Sequence, residues 1–353
     1  MFSNILEALP ATRPGYLADG DGVVKLNQNE SPYSLSAGDW ASLTAELRAL
    51  PLNRYPDPGH SAVEEAIARR LKLPPGTVLA GNGANELIEL IIRSTCDPGD
   101  EVLTAAPTYH LYDRFCAMNR AVLTKVPWGP DHELPRSELL RATSARTKLI
   151  LLCRPNNPTG HLYPAEEALT VARAFAGLVA VDEAYHDFAD DTLAPSIRSV
   201  PNLVVVRTLS KAYGAAGLRF GYLLASAGIV RVLRSLQMPY GVGVLTQAAA
   251  LFLLSHPEIM ERQRDAILAG REDLVRRLGR LAGLTVFPSA ANFVLVRTTD
   301  SADALDRYLR SRRIVVRNLK WEDRYLRISV GTPGDHAKLV EAIEAFPPDG
   351  TSA

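Results

Sequence analysis

Between positions 208 and 219 the chain reads Thr208-Leu209-Ser210-Lys211-Ala212-Tyr213-Gly214-Ala215-Ala216-Gly217-Leu218-Arg219, which gathers hydroxyls, a lysine, glycines and an arginine. Of 39 Lys+Arg only seven are lysines (25, 72, 125, 148, 211, 320 and 338), so groups able to do amine chemistry are few. Lys211 alone among them lies between hydroxyl donors and a glycine loop. A lysine amine condenses with carbonyls to a Schiff base once burial or a neighbouring cation lowers its pKa. Arg219, eight residues on, brings a forked donor for phosphate and a positive field. Taken alone, the same segment also reads as a surface loop with an ordinary lysine.

Other polar segments have a similar character. Gly81-Asn82-Gly83-Ala84-Asn85-Glu86 precedes an apolar helical pattern, so its free N–H groups and the helix dipole would face an anion. Glu86 stands where a dinucleotide fingerprint needs its third glycine, so this is at most half of a phosphate cup. Pro107-Thr108-Tyr109, Arg154-Pro155-Asn156-Asn157-Pro158-Thr159-Gly160 and Asp182-Glu183-Ala184-Tyr185 add an aromatic ring, amides and carboxylates. Asp182 has an ordinary reading too, as the cap of a following helix. The proline-rich Asn53-Arg54-Tyr55-Pro56-Asp57-Pro58-Gly59 reads as a connector, oddly supplied with an arginine and a tyrosine.

The elements that must position these groups follow from the apolar rhythm. Short apolar runs at 78–80, 101–105, 148–152, 177–181 and 203–206 read as strands, several with helices between them. That alternation predicts an α/β fold with a largely parallel, doubly wound sheet. Each polar segment then falls at the C-terminal end of its strand, the edge where open α/β sheets bind ligands. A further strand at 220–224 leads into one long helical run from about Gln247 to Leu281. Strands at 292–297, 314–317 and 325–330 with helices at 302–311 and 334–345 then predict a smaller α+β lobe.

Length and composition agree with this plan. A chain of 353 residues exceeds the size at which a single core stops growing, so two lobes are expected. The net charge is zero, so nothing calls for nucleic acid as a partner. Three scattered cysteines form no CxxC pair, and no HExxH spacing occurs, which argues for a reducing compartment and no metal site. The N-terminus lacks a signal-peptide pattern, and no apolar run is long enough to span a membrane. A soluble, cytoplasmic protein is expected.

A lysine, a phosphate cup, a carboxylate after an apolar strand, a tyrosine three residues beyond it, an asparagine and a tyrosine at a helix start together suit pyridoxal phosphate. Val181-Asp182-Glu183-Ala184-Tyr185, Asn156-Asn157-Pro158-Thr159-Gly160, Thr208-Leu209-Ser210-Lys211 and Gly217-Leu218-Arg219-Phe220-Gly221 resemble the signature segments of fold-type-I pyridoxal-phosphate aminotransferases. Leu26-Asn27-Gln28-Asn29-Glu30-Ser31-Pro32-Tyr33, the 53–58 and 81–86 segments, Pro107-Thr108-Tyr109 and Leu326-Arg327-Ile328-Ser329-Val330-Gly331-Thr332 are similar to the histidinol-phosphate aminotransferase branch. The resemblance runs from about residue 23 to 345.

It implies an aspartate-aminotransferase-like fold, with a large cofactor domain at residues 49–249 and a small domain from 1–48 and 250–353. It implies Lys211 as Schiff-base lysine and proton shuttle, Asp182 on the pyridine nitrogen, Tyr185 and Asn157 on the phenolic oxygen, and Tyr109 stacked on the ring. Ala84, Asn85, Ser210 and Arg219 would hold the phosphate, with Thr208 assisting. Tyr55 would reach the cofactor of a second subunit, making a homodimer with shared sites. Arg317 and Arg327 would bind the substrate's anionic end, with Tyr16, Asn29 and Glu30 over the substrate. The activity implied is transamination of L-histidinol phosphate with 2-oxoglutarate, in histidine biosynthesis. An aromatic amino-acid aminotransferase and a threonine-phosphate decarboxylase share the fold and remain alternatives, as does, in a different class, a pyridoxal-phosphate-binding regulator. The chain departs from the branch pattern at Asn85, where aspartate is commoner, at Ser31-Pro32-Tyr33-Ser34, and at Tyr213, often phenylalanine.

Overall fold

The structure is a computed structural model and describes residues 22–129 and 133–347. Its strands in chain order are β1 (Val24–Leu26), β2 (Val78–Gly81), β3 (Glu101–Ala106), β4 (Val122–Pro127), β5 (Thr147–Cys153) and β6 (Leu178–Asp182). They continue as β7 (Leu203–Thr208), β8 (Gly221–Leu224), β9 (Leu284–Val286), β10 (Phe293–Thr298), β11 (Ile314–Asn318) and β12 (Tyr325–Ser329).

Seven strands form one sheet in the order β2-β8-β7-β6-β5-β3-β4. All neighbours run parallel except β8, which is antiparallel to β2 and β7. The centre is apolar on both faces. Leu203, Val204, Val205 and Val206 are all buried, as are Leu149 to Leu152, because helices cover the sheet on both sides. The register aligns the strand ends: Asp182 lies opposite Cys153 of β5 and Val206 of β7. The loops after these three strands therefore leave the sheet at one level. This alignment, rather than any single residue, creates the site.

The helix after β2 starts earlier than its apolar pattern, at Ala84 rather than Leu87, and runs to Thr95. Its Leu87, Ile88, Leu90, Ile91 and Ile92 are buried, the stripe expected of a helix lying on a sheet. Gly83 precedes it with φ +83°, a left-handed conformation that glycine adopts without cost.

Five strands form the second sheet, ordered β1-β11-β12-β10-β9. β1 joins its edge in parallel with β11, so a segment from the start of the chain completes a sheet built near its end. The helical run expected from Gln247 to Leu281 is two helices, Val244–Ser255 and Pro257–Leu278. Pro257 has no N–H to continue the first helix and serves as the opening residue of the second. The sequence pattern did not mark β4, an edge strand in which only Val126 is buried. Among the described residues no helix is long and apolar enough to cross a membrane.

Candidate active site

The loops after β2, β3, β5, β6 and β7 meet the loop after β1 and two strands of the smaller sheet around a cavity of about 590 Å³. Lys211 emerges two residues beyond the sequence Thr208-Leu209, and its Nζ donates to the Gln28 carbonyl at 3.1 Å. Burial, reinforced by Arg327 and Arg219, pulls its amine down to about 8. A substantial neutral fraction is thus present near physiological pH.

Asp182 ends β6 on the cavity side and is 4% exposed. Oδ1 accepts the Ala184 N–H at 3.1 Å and Oδ2 accepts the Tyr112 hydroxyl at 3.1 Å. Burial raises its carboxyl to about 6 against the pull of those donors and of Lys211. Its neighbour Glu183 is turned away, as strand alternation requires. Glu183 is fully occupied by Arg207, at 3.0 and 3.1 Å, by Thr192 at 2.8 Å and by the Leu193 N–H at 2.7 Å.

The Tyr185 hydroxyl accepts the Asn29 amide at 3.0 Å and the Asn157 amide at 3.2 Å. Both amides are oriented by their other ends: Asn157 Oδ1 accepts Arg327 at 2.6 Å, and Asn29 Oδ1 accepts the Ser329 hydroxyl at 3.0 Å. With both lone pairs engaged, the Tyr185 proton is left to donate toward the cavity. Burial raises the phenol above its ordinary range, so it stays protonated.

Ala84 and Asn85 occupy the first turn of the helix behind Gly83 and line the cavity with Ser210, Thr208 and Arg219. A Cβ on Gly83 would lie 2.5 Å from Arg219 Nη2, so the glycine is what lets that guanidinium approach the helix N-terminus. A Cβ on Gly221 would come within 2.6 Å of the Ala84 nitrogen. Arg219 Nη1 donates to the Ala216 carbonyl at 3.0 Å, and no carboxylate pairs with it among the described residues. Thr208 holds this corner together: its hydroxyl donates to the Phe220 carbonyl at 3.0 Å and is hydrogen-bonded to the Ser210 hydroxyl at 2.8 Å.

Arg317 and Arg327 lie directly opposite each other on antiparallel β11 and β12, and both line the cavity. Arg327 donates to Asn157 and, at 2.8 Å, to the Asn27 carbonyl, while its buried Nε has no partner. Burial lowers Arg327 to about 10, so it remains a cation at neutral pH. Two like charges in cross-strand register repel, and no carboxylate pairs with either among the described residues. An anion is what such a pair lacks. Glu30, also at the cavity, is engaged by Lys25 at 2.9 Å.

The cavity therefore assembles Lys211, Asp182, Tyr185, Asn157, Tyr109, Ala84, Asn85, Thr208, Ser210, Arg219, Asn29, Glu30, Arg317 and Arg327. Tyr55 is not among its lining residues; it is 82% exposed and stacks on Tyr240 at 4.6 Å. Tyr16 lies outside the described residues. Sequence reasoning missed the Gln28 carbonyl and Tyr112. The second left a signal: Tyr112 is a second tyrosine three positions after Tyr109, about one turn on, where the helix begins.

The family model described as aminotransferase class I and II matches residues 21–346. The chain belongs to this family. It is 39% identical to histidinol-phosphate aminotransferase 2 of Bordetella bronchiseptica over 336 residues, covering 93% of this aminotransferase and 92% of that one. To the histidinol-phosphate aminotransferase of Bacteroides fragilis it is 37% identical over 329 residues, with 92% and 91% covered. Among solved structures, that of histidinol-phosphate aminotransferase from Sinorhizobium meliloti in complex with pyridoxal-5'-phosphate superposes with TM-score 0.87 at 27% identity, covering 97% of this aminotransferase and 96% of that chain.

Proposed function

We propose that this chain is a pyridoxal-phosphate-dependent aminotransferase that converts L-histidinol phosphate and 2-oxoglutarate to imidazole acetol phosphate and L-glutamate. The cavity suits the cofactor on two counts. Asp182 is a buried carboxylate whose hydrogen bonds come only from neutral donors, a costly state that a cationic ring N–H relieves. Arg219, the first turn after Gly83 and the Ser210 hydroxyl form a cradle suited to phosphate, and among the described residues no carboxylate pairs with Arg219.

When bound, pyridoxal phosphate supplies an aldehyde for amine condensation and a protonated ring that takes up electrons. Asp182 would hold the ring N–H, Tyr185 and Asn157 would hold the phenolic oxygen, and Tyr109 would cover the ring. Ala84, Asn85, Ser210, Thr208 and Arg219 would hold the phosphate. Lys211 would anchor the cofactor and, as a neutral amine, would take a proton from the amine-bearing carbon of the amino donor in one half-reaction and deliver one to the corresponding carbon of the keto acid in the other. Asn29 and Glu30, on the loop after β1, would close over the substrate and exclude water.

The observation that carries the substrate is the Arg317–Arg327 pair on the same cavity as Lys211. It suits a phosphate in one half-reaction and a carboxylate of 2-oxoglutarate or glutamate in the other. The names of the relatives favour histidinol phosphate within that class. In this reading residues 49–249 carry the cofactor, and 1–48 with 250–353 form the smaller domain. The exposed Tyr55 reaches the cofactor phosphate of a second copy in a cytoplasmic homodimer. The test is spectroscopic. L-histidinol phosphate, added without keto acid, is expected to convert the bound cofactor's absorbance to that of pyridoxamine phosphate, and 2-oxoglutarate to restore it. Conversion by phenylalanine or tyrosine but not by histidinol phosphate would move the assignment to aromatic substrates.

A further inference from the structure

Asp182 owes its orientation to two donors: the Ala184 N–H on Oδ1, and the Tyr112 hydroxyl on Oδ2. The first comes from the backbone two residues on and is present wherever this turn forms. The second reaches in from the helix Leu111–Met118, 70 positions away in sequence. Tyr112 is 0% exposed and does not line the cavity, so it touches neither substrate nor cofactor space. Its ring stands edge-on to that of Tyr109, 5.5 Å between centroids and 90° between planes. The loop entering the helix thus presents one ring to the cavity, and the first turn of the helix presents a second to the carboxylate behind it.

A carboxylate at the end of a short side chain turns freely about a broad torsion unless its oxygens are held. A phenol buried in apolar surroundings likewise needs an acceptor, and a charged one makes the stronger bond. Each group answers the other's need. The bond also opposes the effect of burial on the Asp182 proton, favouring the ionised carboxylate.

We propose that Tyr112 is a positioning residue of the active site, clamping Oδ2 of Asp182 so that this carboxylate meets the ring nitrogen of the cofactor in one orientation. The inference rests on the cofactor reading above. It predicts that Tyr112 contributes to binding through the ring nitrogen and through nothing else on the cofactor.

The experiment compares binding of pyridoxal phosphate with that of its 1-deaza analogue, which has carbon in place of the ring nitrogen, to the cofactor-free protein. The wild type is expected to prefer pyridoxal phosphate. Tyr112→Phe is expected to weaken pyridoxal phosphate by about tenfold or more, the value of a hydrogen bond to a charged group, and to leave the analogue nearly unchanged. Equal weakening of both compounds would make Tyr112 a packing residue and overturn the proposal. A wild type indifferent to the ring nitrogen would instead overturn the role given to Asp182, and with it this inference. A 4-aminophenylalanine introduced at position 112 keeps the ring and a donor at the same place, so it guards against misfolding of the phenylalanine variant. It is expected to retain the wild-type preference; a folded variant that has lost it would also overturn the proposal.

Discussion

The side-chain amide of Asn29 donates to the Tyr185 hydroxyl at 3.0 Å, across 156 positions of sequence. The bond ties a loop of the smaller sheet to a loop at the edge of the larger one. Asn29 is held for this task. Its backbone has φ 55°, which asparagine tolerates better than most residues. Its N–H donates to Ser329 at 2.8 Å, and its carbonyl accepts the Asn292 amide at 2.9 Å. The smaller sheet therefore sets which way the Tyr185 proton points.

Lys211→Ala is expected to lower transamination by well over ~10³-fold, because anchoring and proton transfer are lost together. Product formation from histidinol phosphate and 2-oxoglutarate measures it. Near-normal turnover would remove Lys211 from the chemistry.

Arg317→Gln is expected to raise KM for histidinol phosphate by roughly tenfold to a hundredfold, since one of two cations facing the anion is gone. Histidinol, which lacks the phosphate, should lose little. If both substrates suffer alike, the arginine pair does not read the phosphate.

Asp182→Asn should stabilise the cofactor-free protein at pH 7. Burial raises this carboxyl from 3.8 to about 6, so between those values the native state keeps a proton that the unfolded chain has lost. Stability from this group therefore falls as pH rises through that window, and the penalty stands in full above it. At about 1.4 kcal/mol per unit, the variant gains a few kcal/mol at most at pH 7, and the gain closes below pH 4. Urea unfolding at the two pH values checks the sign; a variant weaker than its parent at pH 7 would contradict it.

Glu183→Gln should destabilise the fold by about 3–5 kcal/mol, because it leaves Arg207 buried without its anion. The loss should appear equally in the presence and absence of substrate. A selective loss of turnover with unchanged unfolding would mean that Glu183 belongs to the chemistry instead.

Tyr55→Phe in one subunit should weaken cofactor retention in the other. Mixed dimers carrying this variant together with Lys211→Ala on one chain, beside an unaltered partner, leave only the partner's lysine to anchor cofactor and so read the effect across the interface. No effect across the interface would return Tyr55, exposed and stacked on Tyr240, to a surface role.

Much of this was legible in the chain. The apolar runs before Asp182 and Lys211 are long enough and bare enough of charge to specify central strands, so the residues following them had to emerge at a sheet edge. Gly83 before Ala84 announces a helix N-terminus open to an anion, whereas the break at Pro257 is masked because the helical rhythm continues on both sides.

The sequence by itself determined the inventory: one lysine in a glycine loop, one carboxylate after an apolar strand, and two arginines on adjacent strands of a second lobe. Local patterns suffice for that, because strand periodicity and turn chemistry act over a few residues. Only the tertiary structure decided how the inventory is wired. That Glu183 is matched by Arg207, leaving Asp182 to the cavity, depends on β6 lying beside β7. That Tyr112 reaches Asp182, and Asn29 reaches Tyr185, depends on packing between segments 70 and 156 residues apart. Those distances are closed by burial of the core, which acts on the whole chain at once and leaves no mark at either residue.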